Sequence, residues 1–410
     1  MEGFFSLQEM TSKSRPQGKK LTCVSCGLYK NCEHPKMEPW GNFKKGILII
    51  GESPTQREDK VGRPWVDQNG KNLERILSNL GIDLFEDCLS TFSCQCRTVN
   101  KDGEDRPPTN IEVESCRKTV LKIIDERSPT LVLLLGNSAL FSVIGDRWKR
   151  DLGNIEKWRG WAIPDTDFNC WLCPTYSPSV LDNGKKDHAA EETIWTQDLE
   201  HALEKLESPF PKYKKPNIEI IDDLTILNKI KSDFVVIDYE TTGIKPQGKG
   251  HRIVCASVAD TPDHAFVFMM PKSKKERKPF TDLLENNLIG KGIHNAKYEI
   301  TWTKVRLNTE IKNVQFDSLL AAHLIDNRPG VTGLKFLAFV YLGIPDYDSE
   351  ISSYLHAKED NGNAINQIME LVDLPGGKEK LMTYCALDTI YTYRLSLLQM
   401  NEMNFNFLPF

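Results

Sequence analysis

Apolar residues in this chain come in short runs that stop at turns. Ile47-Leu48-Ile49-Ile50 ends on Gly51, and Leu131 to Leu135 ends on Gly136. Runs of that length, closed by glycine, predict buried parallel strands. Trp171 to Cys173, before Pro174, predicts a third. Between them, Asn72 to Leu80 and Glu112 to Glu126 repeat their apolar positions at helical spacing. Strands alternating with helices predict an α/β layered fold. The pattern breaks at residues 207–217, a stretch with three prolines and four charges that reads as a linker. A second α/β unit follows. Its predicted strands are Phe234 to Asp238, Ile253 to Val258 and His264 to Met269, joined by loops short enough for hairpins. Its predicted helices are Asp317 to Ile325, Leu334 to Leu342 and a last one from about Glu379 to Met400. The expected organisation is a flexible lead at 1–20, a first domain at 21–206, the linker and a second domain at 218–410.

A chain of 410 residues is too long for one ordinary core, which agrees with two domains. Hydrophobic content of 40% and charged content of 27% are those of a globular protein. No apolar run approaches the roughly 18 residues of a membrane span. The basic, polar start lacks a signal-peptide core, so a cytoplasmic location is expected. The net charge of −5 excludes a polycation that coats nucleic acid, but not local basic grooves. Of eleven cysteines, Cys23, Cys26, Cys32, Cys88, Cys94, Cys96 and Cys116 precede residue 117, and only Cys255 and Cys385 lie in the second unit. In a reducing compartment such a concentration points to metal or cluster ligation rather than disulfides.

Candidate chemistry is concentrated in three ordered motifs: Asp238-Tyr239-Glu240, residues 295–299 (NAKYE) and residues 384–388 (YCALD). Alternation along a strand turns Asp238 and Glu240 to the same face. Tyr384 and Asp388, like Asn295 and Glu299, are four apart and share a helical face. Carboxylates gathered in this way repel one another unless a hard divalent cation lies between them.

The order strand, helix, helix resembles the DEDD 3′–5′ exonucleases, which have a ribonuclease H-like fold. The tyrosine four residues before the last aspartate is similar to their DEDDy branch. Residues 316–324 (FDSLLAAHL) and 333–343 (GLKFLAFVYLG) resemble the proofreading domain of family A DNA polymerases. The resemblance covers roughly residues 218–400. It implies that Asp238, Glu240 and Asp388 hold one divalent metal, Mg2+ or Mn2+. Glu299 would help hold a second, and Tyr384 would orient the attacking water. Where the family has aspartate this chain has Glu299, one methylene longer.

Residues 51–54 (GESP), Glu58-Asp59, 62–66 (GRPWV) and 70–73 (GKNL) resemble the family 4 uracil-DNA glycosylases, an iron–sulfur family with an α/β/α sandwich. The likeness continues through residues 95–97, 106–109 and 174–179, and covers roughly 20–205. It implies that Cys23, Cys26, Cys96 and Cys116 hold a [4Fe–4S] cluster; structural zinc is the chemical competitor. Cys32, Cys88 and Cys94 are expected to be spare, and Cys170 and Cys173 to serve packing. The catalytic signature departs from the family. Phe92 stands where the family has the asparagine that reads uracil, and Ser177 where it has histidine. Thr55 and Asp67 replace glycines, while Trp65 replaces the stacking phenylalanine. The expectation is a glycosylase-like module without glycosylase chemistry, holding DNA or a partner.

Candidate nucleic-acid contacts are Trp65, Asn295, Lys149, Arg150 and Arg159. The last three sit in stretches that mix tryptophan with basic residues, as a single-strand groove does. The leading expectation is a metal-dependent 3′–5′ exonuclease on DNA ends. No polymerase domain follows Phe410, so a separate polymerase chain or a truncated product is expected, in the arrangement of viral family A polymerases. A non-catalytic scaffold, an active glycosylase and an RNA-processing exonuclease are the rival readings.

Overall fold

The computed structural model describes residues 21–182, 188–358 and 363–405; the expected flexible lead at 1–20 lies outside them. The chain divides after Pro211 into two compact units, each with its own sheet.

The first unit has five strands: β1 (Ile47–Gly51), β2 (Cys88–Phe92), β3 (Leu131–Leu135), β4 (Ile163–Asp165) and β5 (Cys170–Thr175). Their order is β2-β1-β3-β5-β4, all parallel except the antiparallel β4–β5 pair. Both apolar runs read from the sequence are strands buried on every residue, because parallel sheets are covered on both faces. β2 escaped the sequence reading. Its Ser90 and Thr91 are polar but buried, so the run shows no hydrophobic pattern. Helices start earlier than their apolar period. Asp67 accepts the amide of Gly70 at 3.0 Å and opens the Gln68–Asn79 helix. Thr109 and Glu112 form a capping box at the head of Asn110–Arg127. Leu73, Ile76 and Leu77 of the first helix, with Trp195 and Leu199 of Ala189–Leu203, complete the core.

The second unit has six strands: β6 (Asn217–Ile220), β7 (Phe234–Thr241), β8 (Ile253–Thr261), β9 (His264–Met269), β10 (Gly290–Ile293) and β11 (Val314–Asp317). Their order is β11-β10-β7-β8-β9-β6. β7, β8 and β9 form an antiparallel meander, and β10 joins β7 in parallel. Glycine makes the β10–β7 approach possible: a Cβ on Gly292 would lie 2.5 Å from the Phe234 ring. The Gly377–Glu402 helix lies across β7, β8 and β9 and is buried along most of its length. The faces of β7 separate cleanly. Phe234 and Val236 join the core under that helix, whereas Val235, Ile237 and Tyr239 join a second core with Phe280 and Trp302. Among the described residues, no helix is long and apolar enough to cross a membrane.

Candidate active site

Asp238 and Glu240 follow Val236 on the helix-covered face of β7, and across β8 they oppose Ser257 and Cys255. From the covering helix, the Cys385 sulfur reaches Asp238 Oδ2 at 3.9 Å. Glu240 is 9% exposed and Asp388 6%, while Asp238 stays partly accessible. Glu299 enters from the Ala296–Trp302 helix and is 2% exposed. The Tyr239 amide donates to its carboxylate, yet its Oε2 has no hydrogen-bond partner. Burial pushes the carboxyls of Asp238, Glu240 and Glu299 well above the usual carboxylate range. Repulsion adds to this, from Asp388 on Asp238 and from Asp238 on the other two. Charges so placed need a cation to ionise together. Asp238, Glu240 and Cys385 each offer a ligand atom within 4.8 Å of the others. An orphaned carboxylate oxygen among hard donors fits divalent ions with oxygen ligands.

Asp388 is the compensated member. Lys335, on the Leu334–Leu342 helix, forms an ion pair with its Oδ1, and the Tyr347 hydroxyl donates to the same oxygen. Lys335 Nζ also donates to the Tyr347 hydroxyl at 2.8 Å and lies 4.2 Å from the ring centroids of both Tyr347 and Tyr384. Tyr384 is buried at 8% exposure, and burial holds its phenol protonated far above neutral pH. Sequence reading missed Lys335 and Tyr347. The available signal was the single charge inside the apolar run 334–342.

Asn295 is exposed at the cap of its helix, in the left-handed region with φ 69°, and so does not share a helical face with Glu299. Its amide and that of Ala296 donate to Asp317 at 3.0 and 2.8 Å. Asp317 also accepts from Leu319 at the head of its own helix. One carboxylate, unremarked in the sequence, thus pins two helix starts beside the acidic cluster.

In the first unit, Cys23 and Cys26 occupy a single helical turn that packs against Asn110–Arg127, which carries Cys116. Cys96 accepts the amide of Lys36 at 3.3 Å. Cys94 and Cys32 also belong to this group. The Cys94 thiol donates a hydrogen bond to the Cys116 sulfur, and the Cys96 thiol donates one to Cys32. Cys116 is drawn down to about 7 by Cys94, while burial pushes Cys96 up to about 12.

The glycosylase-like cleft, about 210 Å³, is lined by Glu52, Glu58, Asp67 and Asp105 and closed by Phe92 and Trp65. Those rings lie 5.5 Å apart, against a Gly51 whose Cβ would come within 2.9 Å of either. The two replacements of glycine are tied together, Thr55 Oγ1 donating to Asp67 Oδ2 at 3.0 Å. Burial raises Glu58 to about 7. Trp65 is 7% exposed. Trp148 and Trp158 are likewise interior rings, edge to face at 5.5 Å, under the Lys157 ammonium. Arg159 pairs with Asp198 at 3.2 Å. Lys149 donates to the Asp146 carbonyl and, like Arg150, is exposed. Trp148 and Trp158 are therefore core rings with charged neighbours, whereas Trp161 is half-buried.

Residues 38–200 match the uracil DNA glycosylase superfamily, and residues 218–402 match a 3′–5′ exonuclease family. The type-4 uracil-DNA glycosylase of Thermotoga maritima is 31% identical over 186 residues, covering 44% of this chain and 87% of that protein. That of Pyrobaculum aerophilum is 30% identical over 165 residues, covering 38% and 81%. A DNA polymerase of Bacillus phage SP01 is 24% identical over 405 residues, covering 88% of this chain and 41% of that protein. Among solved structures, Brucella melitensis NrnC with bound Mg2+ is 17% identical with a TM-score of 0.34, over 47% of this chain and 84% of that one. Escherichia coli RNase D, an exoribonuclease, is 15% identical with a TM-score of 0.34, over 47% and 46%. Through its first half the chain belongs to the uracil DNA glycosylase superfamily, and its second half is a 3′–5′ exonuclease domain of the family A DNA polymerase type.

Proposed function

We propose that this protein is a proofreading-type 3′–5′ exonuclease acting on DNA ends, with a catalytically silent glycosylase-like module. The observation that carries this reading is the buried acidic seam with an unpartnered Glu299 oxygen. Asp238, Glu240 and Asp388 would hold one divalent ion and Glu299 a second. When bound, such ions polarise the phosphodiester and supply a hydroxide-like water. Tyr384, kept protonated by burial, would be the hydrogen-bond donor that orients the attacking water. Lys335 and Tyr347 fix the Asp388 carboxylate and so act as positioning residues. The glutamate at position 299 reaches the seam because the Tyr239 amide holds it by one oxygen.

The test is digestion of a 3′-labelled single strand with magnesium or manganese, beside matched RNA. Asp238→Ala and Glu299→Asp are run alongside. Equal cutting by Asp238→Ala would remove the assignment, and a faster RNA rate would redirect the substrate to RNA.

The silence of the first module rests on its cleft. Four carboxyl groups and the Phe92 ring line it, with Ser177 where the family has histidine, a setting that disfavours a departing uracil anion. Uracil-containing DNA treated with the protein and then alkali should stay intact. The grouped thiols of Cys23, Cys26, Cys96 and Cys116 fit a [4Fe–4S] cluster. Among the described residues, no three of these sulfurs fall within 4.8 Å of one another. Tetrahedral zinc, with Zn–S of about 2.3 Å, needs them roughly 3.8 Å apart. Iron and sulfide analysis with visible absorption tests this. The collinear likeness to a phage polymerase supports a viral replication role in the host cytoplasm beside a family A polymerase. Copurification with such a polymerase is the check.

A further inference from the structure

Cys385 sits in the acidic seam without a part in hydrolysis. Its sulfur lies 3.9 Å from Asp238 Oδ2 and 3.3 Å from Ser257 Oγ, and is fully buried. Its ligand atom falls within 4.8 Å of oxygens from both Asp238 and Glu240. The Cys255 thiol, opposite Glu240 in the strand register, hydrogen-bonds to it. A buried cysteine alone is a small hydrophobe. Here an independent observation points to a cation: Glu299, whose carboxyl feels the Asp238 charge, keeps its buried Oε2 without a partner. The seam therefore combines a shortage of positive charge with one soft donor among hard ones.

We propose that Cys385 makes the exonuclease centre a thiophilic trap, in which a soft divalent ion of the zinc or cadmium class binds its sulfur together with Asp238 and Glu240 and arrests hydrolysis. The proposal rests on the reading of the seam as a divalent-ion centre. Magnesium ignores sulfur, because hard ions take oxygen ligands and hold them at octahedral distances. Zinc accepts sulfur and oxygen together in tetrahedral geometry, with Zn–S of about 2.3 Å and Zn–O of roughly 2.0–2.2 Å. Donors now within 4.8 Å of one another need to draw in by only about 1 Å. The Cys385 thiol gives its proton to solvent as the sulfur–metal bond forms, and no electron changes hands. The Ser257 hydroxyl, which now accepts from the thiol, can turn and donate to the sulfur. The ion then holds Asp238 and Glu240 in a geometry unsuited to an in-line displacement.

Cobalt(II) is the probe. Full-length protein and Cys385→Ser are titrated side by side, and their near-ultraviolet spectra are subtracted. The thiols of the first unit contribute equally to both and cancel. A thiolate-to-cobalt charge-transfer band in the difference is the expected result; superimposable spectra overturn the proposal. Cys385→Ala serves the same purpose if serine disturbs the packing. Cys255→Ser should keep the band, and its loss there with retention in Cys385→Ser would also overturn the assignment. In a second readout, each protein's manganese-supported digestion is normalised to its own zinc-free rate. The zinc concentration that halves it should rise roughly 10- to 100-fold in Cys385→Ser; an unchanged value contradicts the trap. Asp238→Ala separates the two levels of inference. If digestion and the cobalt spectrum both survive it, the divalent-ion centre itself is wrong. If it abolishes both while Cys385→Ser changes neither, only the role of the thiol fails.

Discussion

The two units treat the polar residues of their clefts differently. In the first, the two polar residues that replace glycines are satisfied by each other, although the buried Trp65 Nε1 has no partner. Thr55 bonds Asp67, Asp67 caps a helix, and Phe92 fills the space beside Trp65. In the second, Asp238, Glu240 and Glu299 are buried with too little positive charge, and one oxygen has no partner. Unsatisfied buried charge destabilises a fold and is retained where it does chemistry. Both clefts are acidic and burial raises Glu58 as it raises the carboxyls of the second unit, but among the described residues only Glu299 keeps a buried carboxylate oxygen without a partner.

The strongest way to break this comparison is Asp238→Asn. It should cut digestion of single-stranded DNA by on the order of 10³-fold, equivalent to about 4 kcal/mol of lost transition-state stabilisation. In chelator the same variant should melt higher than wild type, because a repelled buried charge has gone. A lower melting temperature would show that Asp238 is structurally satisfied after all.

Lys335→Met should lower the rate about 10- to 100-fold, as loss of a group that orients a metal ligand does. The magnesium concentration giving half the maximal rate should fall, because the ammonium no longer competes for Asp388. A purely structural lysine would leave that concentration unchanged.

A third effect is in stability. The folded carboxyls of Asp238, Glu240 and Glu299 titrate above their ordinary values of 3.8 and 4.5. Above those values the unfolded chain has released protons that the folded one keeps, so folded stability falls as pH rises. Calorimetry in chelator should show the melting temperature declining from about pH 5 to pH 8. Magnesium should offset the decline, so the gap between the two curves widens with pH. Parallel curves would mean that the seam is not what the ion compensates.

The smallest change is expected in the first unit. Phe92→Asn brings in the residue that the family resemblance implies for reading uracil, yet the acidic cleft and the Thr55–Asp67 tie remain. Excision of uracil should stay at background. Measurable excision from this single change would show that the module is one residue from activity and that its cleft is not rebuilt.

Much of this was legible along the chain. Local sequence specified the strands at Ile47–Gly51, Leu131–Leu135 and His264–Met269 and the helix at Leu334–Leu342. It did so because an apolar run between turns or a helical period is a property of neighbouring residues. The acidic motifs were legible for the same reason. β2 and β10 were not, since buried serine and threonine in one and glycine in the other carry no hydrophobic signal. Tertiary structure alone decided which charges are answered. Only folding sets Lys335 on Asp388, 53 residues away. Only folding leaves Glu299 Oε2 without a partner, brings Cys385 beside Asp238 from 147 residues away, and gathers Cys94 with Cys116. Charge compensation depends on distance in space and on exclusion of water, and neither is a property of a position in sequence.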